Sequence, residues 1–390
     1  MTLPLFELNE WFALAEGRFD LSLSHSGCQP QTVADLLDDG DWKSFADVSL
    51  SCGAFEGLAE LRQAIADQYD SVEPAHVMTF NGPSEAIYTF MRAILKPHDT
   101  VVVQSPLFQT LHAIARHTGC AMKEWRPADE LACSFDVSDL AAICDESTRL
   151  IVINFPHNPT GQMISEPELR RIVGIAKAAD AMLFSDEVFR LLELAPQRTL
   201  PAACDLYDKA VSATGLSKPF GLGGLRIGWM ATKCDEIRSA VKRYRYNTVE
   251  MTNTPCQWLA CRALARKDEV LARNRALISA NLDRLEAFVE SHNSMLKLFR
   301  PKSRHDGGGP ATDKADEHRA LRKGIGRRAA LSRTGQAAGD ARQRAAIRTR
   351  HVGFHVGSRT SWSILETAQS VCQGSMTWGR PVPSFLSSCG

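Results

Sequence analysis

The sequence predicts an α/β protein in which a mainly parallel central sheet is flanked by helices. Three observations predict this class. Helical periodicity alternates with short apolar runs from about residue 56 to 232, those runs are apolar on both faces, and polar residues follow directly after them. Strands covered by helices on both faces need such runs. We therefore expect a ligand site beyond the carboxyl ends of the strands.

The individual elements follow from the same patterns. Apolar residues spaced three and four apart predict helices at 56–69, 84–95 and 169–180. Continuous apolar runs predict interior strands at 100–104, 150–155, 182–185 and 210–213. From Ile237 to about Val289 the chain is helix-rich and charged, with a break near Thr254–Pro255. This last region predicts a long connecting helix that leads out of the domain.

Composition restricts the possible partners. The chain has 390 residues and 44% apolar content, which suggests two domains. Its 45 basic and 45 acidic residues balance, so we expect neither a nucleic-acid nor a membrane partner. The 11 cysteines form no C-x-x-C pair, so we assign no metal. The first residues lack the basic head and cleavage site of a signal peptide, which predicts a cytoplasmic location.

The most informative motif lies at 212–229. Lys218 follows a predicted buried strand, a glycine-rich stretch comes next, and Arg226 stands eight residues after the lysine. A lysine amine can form a Schiff base with an aldehyde, and a guanidinium pairs bidentately with phosphate. The glycines do not form a dinucleotide fingerprint, because Arg226 occupies the place of the last glycine in G-x-G-x-x-G. Considered alone, Lys218 would be a solvated surface lysine.

Three other motifs lie at the ends of predicted elements. Asn158–Pro159 follows one strand, Asp186 ends another, and a glycine turn at 82–84 opens a helix whose free N–H groups suit a phosphate. Each has an ordinary interpretation, namely an Asn-Pro turn, a strand-end cap and a capped helix. Their order along the chain, together with Lys218, indicates one shared site.

Over about residues 40–290 these motifs resemble the class I and II aminotransferases, which are fold type I enzymes dependent on pyridoxal 5'-phosphate (PLP). The resemblance implies a large PLP-binding domain at 46–275, preceded at 1–45 by the first segment of a smaller domain. Residues 276–300 would complete the connecting helix. The remaining 301–390 do not match, so we expect the smaller second domain to be defective here.

The resemblance also implies roles for single residues. Lys218 and Asp186 would be catalytic: Lys218 would hold PLP as a Schiff base, and Asp186 would pair with its pyridine nitrogen. Asn158 would donate to the phenolic oxygen and Phe108 would stack on the ring. The phosphate would be held by Ser84 and Arg226, and Pro83 and Ser217 would also bind the cofactor. Cis bonds are implied at Ser105–Pro106 and Asn158–Pro159.

Several positions depart from the family pattern. Phe189 stands where relatives have a tyrosine that donates to the phenolic oxygen, and Gly215 where a phosphate-binding Ser or Thr is usual. Cys52 replaces a tyrosine that reaches the phosphate of the neighbouring subunit. Glu187, next to Asp186, is expected to be structural.

The region 301–350 is rich in Arg, Gly and Ala and has no aromatic residue. Two interpretations stay open, a solvated or disordered basic tail and a departure from the ancestral reading frame. No clear counterpart exists for the arginine with which relatives hold the substrate carboxylate.

The resemblance implies transamination between an L-amino acid and a 2-oxo acid, in a homodimer. An alternative is elimination and cyclisation, because the stretches 20–27 and 154–159 resemble the capreomycidine synthase branch of the family. A third possibility is a protein that binds the cofactor but is catalytically impaired.

Overall fold

The structure is a computed structural model that describes residues 3–18, 26–128, 134–195, 198–292 and 298. The basic tail predicted at 301–390 lies outside the described residues, as do residues 20–25 of the N-terminal stretch singled out above.

A seven-stranded sheet forms the centre of the described part. In chain order the strands are β1 (Val77–Phe80), β2 (Thr100–Gln104), β3 (Ala121–Trp125), β4 (Thr148–Asn154), β5 (Met182–Asp186), β6 (Ala210–Gly215) and β7 (Gly228–Ala231). Their order across the sheet is β1-β7-β6-β5-β4-β2-β3. Strands β2 to β6 pair in parallel, and β7 runs antiparallel to both of its neighbours. The mainly parallel α/β class is confirmed.

Twelve α-helices occur within the described ranges. They are α1 (Glu7–Ala15), α2 (Val33–Leu36), α3 (Asp39–Ala46), α4 (Ala59–Ala66), α5 (Pro83–Ile94), α6 (Thr110–Thr118), α7 (Val137–Ile143), α8 (Glu166–Ala178), α9 (Ala203–Leu206), α10 (Asp235–Arg245), α11 (Thr254–Ala265) and α12 (Lys267–Ser291). The three predicted helices are present as α4, α5 and α8, and the predicted break separates α10 from α11. Among the described helices, none is both long and apolar enough to span a bilayer.

The interior strands are apolar on both faces because each face packs against its own helical layer. Val101 and Val103 of β2 join the apolar cluster that contains Phe90 of α5, whereas Val102 joins the cluster that contains Ile172 of α8. Residues of a strand point alternately to opposite faces, so a doubly covered strand needs apolar side chains at every position. This packing leaves the carboxyl ends of the strands as the place where polar residues can gather.

Three X–Pro bonds in the described residues are cis. Ser105–Pro106 and Asn158–Pro159 were predicted, and Phe155–Pro156 was not. They shape the loops that follow β2 and β4.

Candidate active site

The candidate site begins at the carboxyl ends of β4 and β5, where Asn154 and Asp186 are register partners. Asn154 is fully buried, and its Nδ2 donates to the carbonyl oxygen of Asp186 at 2.8 Å. Its Oδ1 accepts from the backbone N–H of Asn158 at 2.7 Å. One side chain therefore ties the Asn158–Pro159 turn to the end of β5. The sequence alone does not indicate this role of Asn154.

Asp186 is a buried carboxylate, only 3% exposed. Burial raises its pKa to about 7; the neighbouring charge of Glu187 adds to this, while the positive charge of Lys218 acts in the opposite direction. Its Oδ1 accepts from the backbone N–H of Val188 at 3.1 Å. A buried anion of this kind is suited to a cationic partner, which would offset the cost of its ionisation.

The side chain of Glu187 contacts β6 and α9. Its Oε1 accepts from Ser212 Oγ at 2.6 Å and from the backbone N–H of Ala203 at 3.0 Å, and burial raises its pKa. These contacts attach β6 and the start of α9 to the end of β5, which agrees with the structural role expected for Glu187.

Lys218 lies just beyond β6 and is half-buried. Its Nζ donates to Ser26 Oγ at 2.8 Å. Burial lowers the pKa of Lys218; the charge of Asp186 opposes that shift, and the charge of Arg226 reinforces it. A lowered pKa favours the neutral amine, which is the nucleophilic form. No signal in the sequence links Ser26 to Lys218.

Arg226 lies against the N-terminus of α5. Its Nη2 donates to the carbonyl oxygen of Asn81 at 3.4 Å, and its Nη1 donates to that of Gly223 at 3.2 Å. Gly82 has a φ of +93°, and a Cβ built there would lie 2.3 Å from Arg226 Nη2. Only glycine combines this backbone conformation with so close an approach. The guanidinium and the free N–H groups of α5 together form a site for an anion.

Three other predicted cofactor residues lie in α5 or close to Gly223: Pro83 and Ser84 begin the helix, and Ser217 Cβ would lie 3.9 Å from a Cβ built at Gly223. Pro83 is buried in the first turn of α5, and Ser84 is exposed. Ser217 Oγ is buried and has no hydrogen-bond partner among the described residues. Since a buried hydroxyl without a partner is costly, this atom fits a site whose ligand supplies the missing partner.

Gly215 has a structural reason for replacing the Ser or Thr of relatives. A Cβ at Gly215 would lie 2.6 Å from the carbonyl oxygen of Ile227 and 3.0 Å from Pro83 Cγ. A Cβ at Gly228, its partner on β7, would lie 2.5 Å from the backbone N of Pro83. The backbones of β6, β7 and α5 therefore meet closely, and this contact leaves Gly215 no room for a side chain.

Phe108 is half-buried and lies in the loop between β2 and α6. Its ring centroid lies 5.3 Å from that of Phe6, and the side chain packs against the cluster around α5. The structure thus brings Phe108 next to the N-terminal segment, a neighbour that the sequence did not indicate.

His157 joins the two loops that contain cis-prolines. It is 2% exposed, its Nε2 lies 2.7 Å from the carbonyl oxygen of Pro106, and its Nδ1 lies 2.7 Å from Thr160 Oγ1. Because a carbonyl only accepts, Nε2 carries the proton and Nδ1 accepts from Thr160. Burial lowers the pKa of His157 to about 4, so the ring is neutral near pH 7. Sequence reasoning missed this role.

A cavity of about 800 Å³ opens beside the Asn158–Pro159 turn. Its lining includes Ser26, Asn158, Phe189 and Glu193. The cavity thus adjoins the serine that accepts the hydrogen bond from Lys218, and it can hold a small organic molecule.

A mainly parallel sheet with a lysine, a buried aspartate and an arginine-lined helix end at the carboxyl ends of its strands defines a fold type I PLP-dependent protein. The family model for aminotransferase class I and II matches residues 10–302. The chain therefore belongs to the aminotransferase class I and II family, whose cofactor is PLP.

Two curated relatives illustrate the range of the family. Capreomycidine synthase from Streptomyces vinaceus is 31% identical over 256 residues, which cover 64% of this chain and 65% of that protein. Aspartate aminotransferase from Thermococcus kodakarensis is 29% identical over 219 residues, which cover 56% of each chain. The match spans less than two thirds of the length of either relative.

Solved structures give the same picture. A PLP-dependent aminotransferase from Streptococcus suis has a TM-score of 0.73 at 27% identity, covering 78% of this chain and 81% of that one. The PLP-dependent cyclase OrfR has a TM-score of 0.70 at 27% identity, covering 77% of this chain and 79% of that one. The similarity thus includes proteins with both kinds of chemistry named above.

Proposed function

We propose that this chain is a PLP-dependent aminotransferase that moves an amino group between an L-amino acid and a 2-oxo acid. The observation that carries the proposal is that buried Asp186 ends β5 while Lys218 follows the end of β6, its parallel neighbour in the sheet, and each charge opposes the pKa shift of the other. An amine and a carboxylate in this relation are what the two ends of the PLP ring require.

The phosphate of PLP would be held by Pro83, Ser84, Ser217 and Arg226. The anion site at the start of α5 and the partnerless Ser217 Oγ support this assignment. Asp186 would keep the pyridine nitrogen protonated through its buried carboxylate. Asn158, which Asn154 holds by its backbone, would donate to the phenolic oxygen, and Phe108 would lie over the ring.

PLP, when bound, would supply a ring that accepts the electron pair left at the substrate α-carbon. Lys218 would form the covalent link to the cofactor aldehyde and release it to the substrate amine. Its Nζ would then take the proton from the substrate Cα, for which a lowered pKa is suitable. Ser26, at 2.8 Å, would hold the free amine near the reaction centre.

Elimination and cyclisation is the second candidate. The similarity to capreomycidine synthase and to the cyclase OrfR supports it. Both reactions need the same proton removal by Lys218, so the site residues would be shared. The products differ: transamination leaves a keto acid and an aminated cofactor, whereas cyclisation leaves a cyclic amino acid and an unchanged cofactor. A third candidate, a cofactor-binding but impaired protein, draws support from the family match ending at residue 302.

We also propose a homodimer. Two chain segments that meet at Phe55 and Tyr246 present exposed apolar side chains, which we call the exposed apolar patch: Leu50, Phe55, Tyr246 and Val249, with exposed fractions of 86%, 50%, 37% and 43%. The rings of Phe55 and Tyr246 lie 5.1 Å apart, and buried Arg245 donates to the carbonyl oxygen of Phe55. An exposed apolar surface whose backbone is fixed in this way is suited to contact with a second subunit. Cys52, on the same segment, stands where relatives reach into the neighbouring site.

A cytoplasmic location is part of the proposal. All eight cysteines in the described residues are free, seven of them are buried or half-buried, and none belongs to a metal cluster there. Free thiols persist in a reducing compartment.

The visible absorption spectrum of the full-length chain with PLP tests the proposal. We expect a yellow protein whose band shifts on addition of amino acids, and borohydride should trap PLP on Lys218, as found by peptide mapping. Lys218→Ala should abolish the adduct, whereas Lys209→Ala, at a surface lysine paired with Asp180, should keep it. A band that ignores every amino acid would favour the impaired protein, and a colourless protein would overturn the proposal.

A further inference from the structure

Glu193 is a buried carboxylate to which the proposed chemistry gives no role. It lies between β5 and α9, is 7% exposed, and lines the cavity of about 800 Å³ next to the active-site lysine. Asn158, Phe189 and Ser26 line the same cavity. A molecule in this cavity can therefore contact the Asn158–Pro159 turn and Glu193 at the same time.

The carboxylate of Glu193 is only partly satisfied. One oxygen, Oε2, accepts from Thr199 Oγ1 at 3.1 Å. The other, Oε1, has no hydrogen-bond partner within the described part of the chain. Burial raises the pKa of Glu193, whereas the backbone N–H groups of Glu193 and Leu191, the Thr199 hydroxyl and the charge of Arg190 act in the opposite direction. A buried oxygen without a donor is unfavourable, and a ligand with donor groups would supply the missing hydrogen bond.

Arg190, the cation whose charge acts on Glu193, forms its own hydrogen bond elsewhere. Arg190 acts on Glu193 through its charge, but its Nε donates to the carbonyl oxygen of Leu200 at 3.3 Å and lies 4.0 Å from Glu187 Oε2. Arg190 therefore attracts Glu193 through its charge but forms no hydrogen bond with Oε1.

The charged side chains that line the cavity are mainly acidic, which favours a cationic ligand. Its described charged side chains are Glu166, Glu168, Glu193 and Arg198, three acidic and one basic. Glu166 pairs with Arg170 at 2.6 Å, and Glu168 forms a capping box with Ser165 at the start of α8. Among the three carboxylates, Glu193 is thus the one with an oxygen left for a guest.

We propose that Glu193 binds the cationic side chain of the amino-acid substrate, a guanidinium or an ammonium group, while the reacting α-carbon lies at the Lys218 end of the cavity. This inference rests on the proposed function and names its substrate class: basic amino acids. A positively charged donor forms a hydrogen bond with Oε1 and also neutralises the buried carboxylate. It therefore binds more tightly than a neutral donor.

Arginine, lysine and citrulline provide the test, because citrulline has nearly the shape of arginine without its charge. The affinity of each for the PLP-loaded full-length protein is measured by titrating the visible band. We expect arginine and lysine to bind about tenfold or more tighter than citrulline. Glu193→Gln, which keeps the size and the contact with Thr199, should reduce this preference to near unity. Glu166→Gln, at an exposed and paired carboxylate of the same lining, should keep the wild-type preference.

Three results would overturn the inference: equal affinities of arginine and citrulline in the wild type, an unchanged preference in Glu193→Gln, or binding of neither ligand. A purely structural Glu193 would lower the melting temperature of the variant and leave the preference intact. Failure of the proposed function is a separate outcome, seen as a protein without a PLP band. In that case calorimetric titration of the same ligands into the cofactor-free protein decides the inference.

Discussion

Lys218 Nζ donates a 2.8 Å hydrogen bond to Ser26 Oγ, although the two residues are 192 positions apart in the chain. The N-terminal segment therefore helps to define the resting position of the active-site lysine. The same contact satisfies an ammonium group whose pKa burial lowers.

Ser26→Ala should lower the pKa of Lys218 further. The variant loses an acceptor that stabilises the charged form, and one such hydrogen bond corresponds to about half to one pKa unit. The pH dependence of acetylation of Lys218 in the cofactor-free protein, followed by mass spectrometry, measures the shift. Lys209, which is half-buried and pairs with Asp180, is the internal control in the same sample. An unchanged titration of Lys218 would contradict the prediction.

Asp186→Asn should stabilise the cofactor-free protein while weakening PLP binding. The pKa of Asp186 is raised from 3.8 to about 7, so the folded state loses stability as pH rises from about 4 to 7 and the buried carboxylate ionises. The neutral variant escapes this loss and gains up to about 4 kcal/mol at about pH 8. Urea unfolding at both ends of this range checks the sign, since the gain should vanish near pH 4. A variant that is less stable at the alkaline end would refute the argument.

Gly82→Ala should weaken PLP binding by about tenfold or more, because the new Cβ displaces the Arg226 guanidinium and strains the backbone. Gly224→Ala is the matched control, since nothing lies within 4 Å of a Cβ built there. Equilibrium titration of both variants with PLP gives the comparison. Equal affinities in the two variants would remove Gly82 from the phosphate site.

His157 should make stability depend on pH in the acid range. Its pKa falls from 6.5 to about 4 on burial, so the unfolded state binds the proton first and stability decreases as pH falls between these values. The total loss is about 3 kcal/mol. His157→Asn should be less stable near neutral pH, where its two hydrogen bonds are missing, and the gap to the wild type should narrow on acidification. A constant gap in urea unfolding experiments would argue against a neutral buried imidazole.

Phe55→Lys should shift the full-length protein toward monomers, because it places a charge in the exposed apolar patch. Trp42→Lys replaces another exposed aromatic residue outside that patch and should leave the association unchanged. Sedimentation equilibrium over a range of protein concentrations measures both variants. A wild type that is monomeric at all concentrations would exclude the homodimer itself.

The sequence predicted four of the five parallel strands, but not the edge strands β1 and β3 or the antiparallel strand β7. Strands β2, β4, β5 and β6 are covered on both faces, so their side chains form continuous apolar runs. The edge strand β3 is exposed at Ala121 and contains Lys123 and Glu124, and β1 and β7 have only four residues each. Neither pattern is distinct from a loop in the sequence.

The site could be predicted only where a motif carries its chemistry in adjacent residues. Lys218 and Arg226 belong to one short stretch of the sequence. In the structure Lys218 follows the end of β6, and Arg226 lies against the start of α5. Ser26 and Glu193 join the site or its cavity through tertiary contacts alone, so spacing along the chain gave no sign of them. His157 lay within a quoted motif, but its contact with Pro106 depends on how two separate loops meet.

The pairing of β1 with β7 has a consequence for the order of assembly during synthesis. Gly82 lies two residues after β1, yet β1 lies at the edge of the sheet beside β7, and Arg226 lies two residues before β7. A nascent chain can form the parallel β2–β6 core early, but β1 must wait for residues 228–231 to leave the ribosome. Gly82 and the start of α5 are therefore synthesised long before Arg226. Because the anion site needs both parts, binding of the cofactor indicates that β7 is in place.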